Sequence, residues 1–396
     1  MCTGCRIIVS HGTPASFPYE MPMVTRSPKD LRPLATVGSV LLAFACGHTD
    51  PFSTPPFTTD QPFDPTPPVQ LTLNQAADRS PSWLPDGSGI IYSSQQLDRP
   101  DADVCLAELP PTGGTQRRLV CDLSRLGSDT SNAIEAPVVA ADGRLAFLKA
   151  SSSIGGTNPS RERLAVAPTL DAANATEVQA VPYTPPGEPS RSGVQALRWL
   201  DPSHLIFVGG LATLRRACVT CVLDTIVTGF KVDILDLAGG TVPTPLPGTD
   251  QASGVSVGQS GDEVYFTLSG DSRVYRRAIS SGETAVAHDF GSAGIARDVH
   301  VVGGKLAAIV GGRVTFAVDS LLGPVQWDSG GIVHVVDLAT DADISLTPGS
   351  RLYRRPSLSP AADQLVVEGY PLIITTFPSA DTTVSRAGDI FLFTTP

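Results

Sequence analysis

From Val69 onward the apolar residues fall in short runs bounded by Gly, Asp, Ser and Pro, the pattern of β-strands joined by tight turns. The stretch SPSWLPDGSGIIYSS, Ser80 to Ser94, contains the whole unit. Pro85, Asp86 and Gly87 supply a turn, and Ile90, Ile91 and Tyr92 carry the β propensity of the strand that follows. Aligned on that turn, WLPDGSGIIY from Trp83 recurs as VAADGRLAFL from Val139 and WLDPSHLIFV from Trp199. Weaker copies are VGQSGDEVYF from Val257, VVGGKLAAIV from Val301 and LSPAADQLVV from Leu358. The copies stand about 55 residues apart, and Pro81 recurs at the same offset as Pro137 and Pro356. A fixed period of this length marks a repeat architecture.

Later in most units a third strand ends in a turn and leads to a fourth, as in ADVCLAELPPTGGTQRRLV, FKVDILDLAGGTVPTPL and GIVHVVDLATDADISLT. Six such units predict an all-β, six-bladed β-propeller of four-stranded antiparallel blades over residues 69–396. Closure supports this count. The last unit ends at Pro396 one strand short, while VQLTL, Val69 to Leu73, precedes the first unit without a partner of its own. Strand 69–73 is therefore expected to complete the last blade, because an open edge is costly and prone to aggregation.

The run PSWLPDGSGIIYSS, Pro81 to Ser94, resembles the TolB-like propeller repeat, P-x-W-S-P-D-G-x-x-I-x-F, with Leu84 in place of the usual serine. The later copies are degenerate. The resemblance implies a non-enzymatic propeller that docks a protein partner or a ligand at its channel mouth. The separate N-terminal α/β domain of TolB itself has no counterpart in this sequence, so the resemblance does not carry over TolB's role in its own complex. The alternative class is a propeller enzyme acting at the channel, either similar to the polysaccharide lyases or associated with a hydrolase.

Residues 1–45 read as a targeting region. Arg26, Lys29 and Arg32 precede the apolar run LATVGSVLLAFA, Leu34 to Ala45, with the signal peptide at about 23–45. The run is too short to span a bilayer. Cys46 directly after it resembles a lipobox cysteine, while Ala43-Phe44-Ala45 equally fits a signal-peptidase site that releases a soluble protein. Both readings place the mature chain outside the cytoplasm, with membrane contact only through a lipid on Cys46. Residues 46–68, rich in Pro and Thr, suit an extended tether.

The formal charge of −11 leaves a nucleic-acid partner without electrostatic support. Cys105 and Cys121 lie symmetrically about the turn at Gly113, which places them opposite each other as a disulfide or as two buried thiols. Cys218 and Cys221 form a C-V-T-C that reads as a local disulfide, since neither a second zinc pair nor a redox context accompanies it. GVSVG, Gly254 to Gly258, matches G-x-S-x-G but lies within a strand and lacks the helix a nucleophile elbow needs. Of the histidines, only His300 falls on an inner strand, so the expectation is no catalytic residue, no cofactor and no metal.

One column of the repeat remains. Two positions before Pro81 stands Arg79, and successive copies hold Glu135, Gln195, Ser253, Arg297 and Arg354. Convergent polar side chains at the start of the inner strands would rim the channel. Arg79, Glu135, Gln195, Arg297, His300 and Arg354 are accordingly the expected contacts to an envelope protein or small ligand, on a monomeric propeller. The competing reading is that channel mouths are polar because water fills them.

Overall fold

The computed structural model describes residues 68–72, 76–96, 104–114, 117–121, 130–153, 161–172, 174–191, 193–216, 223–239, 242–311, 314–319, 323–327, 331–346, 351–375, 381–384 and 388–396. All fall within the unit Asp50–Pro396. Among the described residues no helix is long and apolar enough to cross a membrane. Cys46, Cys218 and Cys221 lie outside the described residues.

Each repeat folds as a four-stranded antiparallel blade. The inner strands are Ala76–Trp83, Thr130–Val139, Gly193–Asp201, Ala252–Val257, Ile295–Val302 and Arg351–Leu358. Each pairs with the strand after its turn, for example Trp83 with Ile90 and Val139 with Leu145. Blade five carries an inserted hairpin, Val314–Asp319 with Gly323–Trp327, and blade six carries Asp381–Val384 paired to the extended strand Gln364–Thr375.

The hairpin turn forms as the sequence requires. Gly87 sits at φ 74°, its N–H donates to Leu84 O at 2.9 Å, and Asp86 Oδ1 accepts from the Ser88 N–H at 3.0 Å. Gly143 repeats this at φ 88°, with Asp142 accepting from the Arg144 N–H. A residue with a Cβ is strained at these angles, which accounts for Asp-Gly in both copies.

Six apolar clusters bury the blade faces, one at each junction between consecutive blades. Ile91 and Leu106 meet Ile134 and Phe147 between blades one and two, and Leu148 and Leu164 meet Leu197 and Phe207 at the next junction. Val208 packs on Val255 and Phe266, Val274 on Val299 and Val310, and Ile309 on Tyr353 and Phe391. Leu71, Val366 and Ile390 pack on Trp83 and Tyr92, which joins blade six to blade one. Alternate residues of a second strand serve opposite junctions, Ile91 facing forward and Ile90 with Tyr92 facing back. Both faces are buried, so the run Ile90–Tyr92 is continuously apolar.

The ring closes as the strand count requires. Val69–Gln70 pairs antiparallel with Asp389–Thr394, in the register Val69 to Leu392 and Gln70 to Phe391. The pairing continues through the Leu71 N–H to Ile390 O at 2.7 Å, and Thr72 Oγ1 accepts the Ile390 N–H at 2.9 Å. Of the expected closing segment 69–73, residues 69–72 are described.

Cys105 is disulfide-bonded, and the residue opposite it in the strand register is Cys121.

Candidate functional site

Every inner strand contains a break in register, within the strand in five blades and at its first residue in blade four. It falls between Arg79 and Ser82, Glu135 and Val138, Gln195 and Arg198, Ala252 and Gly254, Arg297 and His300, and Arg354 and Ser357. In five blades the residue after the predicted polar column is left-handed: Ser80 (φ 54°), Ala136 (50°), Ala196 (50°), Asp298 (51°) and Arg355 (50°). The equivalent in blade four is Gly254, where an added Cβ would stand 3.0 Å from Asp298 N. The bulges explain the recurrent prolines. Pro81, Pro137 and Pro356 each lie inside a bulge, where the missing N–H removes no ladder bond.

A bulge resets the alternation of side chains, so residues before and after it serve different surfaces. Arg79, Glu135, Gln195, Arg297 and Arg354 are half-buried, lie before the bulge, and do not line the main cavity of the channel. Ser253 is bonded to Thr267 at 2.9 Å, and Arg297 donates to Gly311 O at 3.3 Å. The column three residues later is Ser82, Val138, Arg198, Ser256, His300 and Ser357, and all six line that cavity. His300 alone is shared by the expected set and the cavity.

The cavity holds about 390 Å³ and opens at the mouth ringed by the hairpin turns, with walls that include Trp83, Leu84, Trp199, Leu200 and Leu358. Its polar groups largely bind one blade to the next. Ser256 Oγ accepts the Val301 N–H at 2.9 Å, and His300 Nδ1 accepts the Leu358 N–H at 2.9 Å. The indole of Trp83 donates to Ser357 O at 2.9 Å and that of Trp199 to Val138 O at 3.1 Å. At the outer rim Asp142 is paired with Arg144 at 2.7 Å and Asp201 with His204 at 2.8 Å.

Arg198 behaves differently. Its Nη1 donates to Leu197 O at 2.8 Å, while its Nε is buried without a hydrogen-bond partner. Among the described residues it has no ion pair. Burial pushes its guanidinium down to about 10, opposed by attraction to Asp298 and aided by repulsion from Arg355. It therefore remains charged at neutral pH. Burial, with the Arg198 charge, also pushes His300 well below the ordinary histidine value, which keeps the ring neutral.

Deeper in the channel the bulges are cross-linked. Glu368 is buried, and its Oε2 accepts the Ser80 N–H at 2.7 Å and the Arg355 guanidinium at 3.2 Å. Arg355 also donates to Ser80 Oγ at 2.7 Å, and its own N–H reaches Asp298 Oδ2 at 3.3 Å. Burial works against the Arg355 cation, but Glu368, Tyr370, Asp298 and Glu135 together hold it above the ordinary arginine value. Blades five, six and one are thus joined through their bulges.

Ser256 lies inside its strand at 1% exposure with its hydroxyl engaged, a structural role. His288 pairs with Asp341 and His334 with Asp343, on either side of Phe290 and away from the channel. Among the described residues no group of three His, Cys, Asp or Glu side chains is placed to hold a metal.

No protein-family model matches the chain, and no curated protein sequence matches it. Solved structures do. TolB from Acinetobacter baumannii is similar at a TM-score of 0.47 and 15% identity, covering 80% of this chain and 64% of that one. A putative TolB from Agrobacterium tumefaciens has a TM-score of 0.42 and 14% identity, with coverage of 81% and 91%. A gluconolactonase from Xanthomonas campestris has a TM-score of 0.48 and 13% identity, with coverage of 83% and 89%.

Proposed function

We propose that this chain is a non-enzymatic binding propeller whose ligand or protein partner docks at the hairpin-turn mouth of its channel. The observation that carries this reading is the convergence of all six inner strands on one cavity with tryptophan and leucine walls. Its polar side chains are mostly engaged in bonds within the propeller, either between blades or to their own hairpin turns, which favours recognition over turnover. A rigid concave site with few free polar groups is the usual form of a binding pocket. In this reading the polar column at Arg79, Glu135, Gln195, Arg297 and Arg354 supports the channel wall, and the contacts are made beyond the bulge.

The propeller works outside the cytoplasm, exported by residues 1–45 and tethered through 46–68. Its anchor is a lipid on Cys46, supported by the cysteine directly after the apolar run. Mass spectrometry of the mature N-terminus tests the anchor, since an unmodified Cys46 rules it out.

Affinity capture from envelope extracts tests the site. Ala141 and Pro202 are exposed turn residues that line the cavity. Ala141→Trp/Pro202→Trp should abolish capture, while Arg79→Ser/Arg297→Ser/Arg354→Ser should leave it intact. The reverse result would move the site to the opposite mouth.

A further inference from the structure

Most residues of the cavity-lining column are used between blades. Val138 and Ser357 give their carbonyls to the indoles of the next blade, while Ser256 and His300 give side-chain acceptors to its backbone. Arg198 occupies the same column in blade three and makes no such bond. It is a long cation in a place where its neighbours carry small or neutral groups. Asp298 attracts it from beyond ion-pair distance and is itself engaged with the Arg355 N–H at 3.3 Å. The acidic groups on the rim, Asp142 and Asp201, are already paired outward. The cavity is thus lined by a half-buried cationic side chain whose Nε is enclosed without a partner and which has no counter-ion of its own among the described residues.

His300 supplies a second donor. Its Nδ1 accepts the Leu358 N–H, so the proton of the neutral ring resides on Nε2. A guanidinium and an imidazole N–H in one cavity match an oxyanion acceptor, since guanidinium forks pair with carboxylates through two parallel bonds. The remaining walls are apolar and indole, and about 390 Å³ lies near the lower end of small-molecule pockets, roughly 300–1,000 Å³.

We infer that the mouth cavity binds a small organic acid, its carboxylate held by Arg198 and the Nε2–H of His300 and its apolar body lying against Trp83 and Trp199. This rests on the mouth being the binding site, and adds the chemical class of the ligand. Burying an unpaired cation is costly, and a bound carboxylate offsets that cost only if it also fills the donors.

The test uses the purified full-length protein with two pairs of probes, phenylacetate against phenylacetamide and hexanoate against hexanamide, titrated calorimetrically at neutral pH. The acids should bind at least about tenfold more tightly than their amides, because only the acids pair with the guanidinium. Arg198→Gln should abolish that preference, Arg198→Lys should keep part of it, and His300→Asn should weaken the acids a few-fold. Arg163→Gln removes a cation paired to Glu177 elsewhere in blade two and should change nothing. Equal binding of acids and amides, retention of the preference in Arg198→Gln, or binding of neither acid overturns the inference. If Arg198→Gln fails to fold, the contrast between acid and amide on the unaltered protein decides. Equal binding that Ala141→Trp/Pro202→Trp still abolishes would leave the mouth as the site and remove only the carboxylate.

Discussion

At the residue scale, the bulge position is the most informative in the molecule. Ser80, Ala136, Ala196, Asp298 and Arg355 hold left-handed backbone without being glycine, at about 1–2 kcal/mol each. The cost is offset where the bulge N–H and side chain are used, as in the Ser80, Arg355 and Glu368 cluster. Arg355→Leu should destabilise the protein by about 3 kcal/mol, because it leaves the Glu368 carboxylate buried without its cation. Arg355→Leu/Glu368→Gln keeps an acceptor for the Ser80 N–H and should recover most of that loss in urea unfolding midpoints. Gly254 makes the opposite case. Gly254→Ala places a Cβ 3.0 Å from both Asp298 N and Thr267 Oγ1 and should cost about 1–3 kcal/mol. Ala136→Gly, which relieves a left-handed alanine, should stay within about 1 kcal/mol of neutral in the same assay. None of this was legible in the sequence. Ser, Ala, Ala, Asp and Arg share no propensity for φ > 0, and the bulge arises from how six inner strands meet around one axis. The polar column at Arg79 was visible because every copy of the repeat holds a polar residue there. The column that lines the cavity mixes Ser, Val, Arg and His, and only the register shift reveals it.

At the scale of elements, most of the blade could be read directly. The Asp-Gly turns, the apolar pairs beside them and the third-strand segments carry local preferences that agree with their final positions. Closure was equally legible, since a strand without a partner at one end matched a vacancy at the other. Its chemistry was not. Asp389 lies in the closing strand, and its carboxyl is pushed up to about 7, chiefly by burial and then by Asp78, against the pull of Arg351. A carboxyl whose folded value lies above its unfolded value, about 3.9, binds more protons when folded. Its contribution to stability is full below pH 4 and is lost as pH rises toward 7. Melting temperatures across pH 4 to 7 should therefore fall with a component that Asp389→Asn removes, and the variant should melt higher than the parent at pH 7.5. An unchanged pH profile in Asp389→Asn would assign the dependence to other groups. Thr72→Val tests the same seam by neutral means. It leaves the buried Ile390 N–H without its acceptor and should cost about 1–3 kcal/mol.

For the molecule as a whole, six blades share six buried junctions, and none of the blades is closed without its neighbours. Interruption at any one junction exposes two apolar faces, and loss of the closing strand exposes an unpaired strand edge as well. Deletion of residues 69–72 removes the strand that pairs with Asp389–Thr394 and the Leu71 contact to Trp83 and Ile390. Size-exclusion chromatography with light scattering should then show more self-association than the intact chain. The seam has a further consequence for synthesis. The residues at Val69–Thr72 leave the ribosome hundreds of residues before Leu392 and Phe391, the partners they wait for. A chain that stops early, however well its first five blades form, has nothing to receive that strand. The ring thus proofreads its own length, and only a polypeptide finished to its last strand can hide the edge that quality-control proteases and chaperones would find.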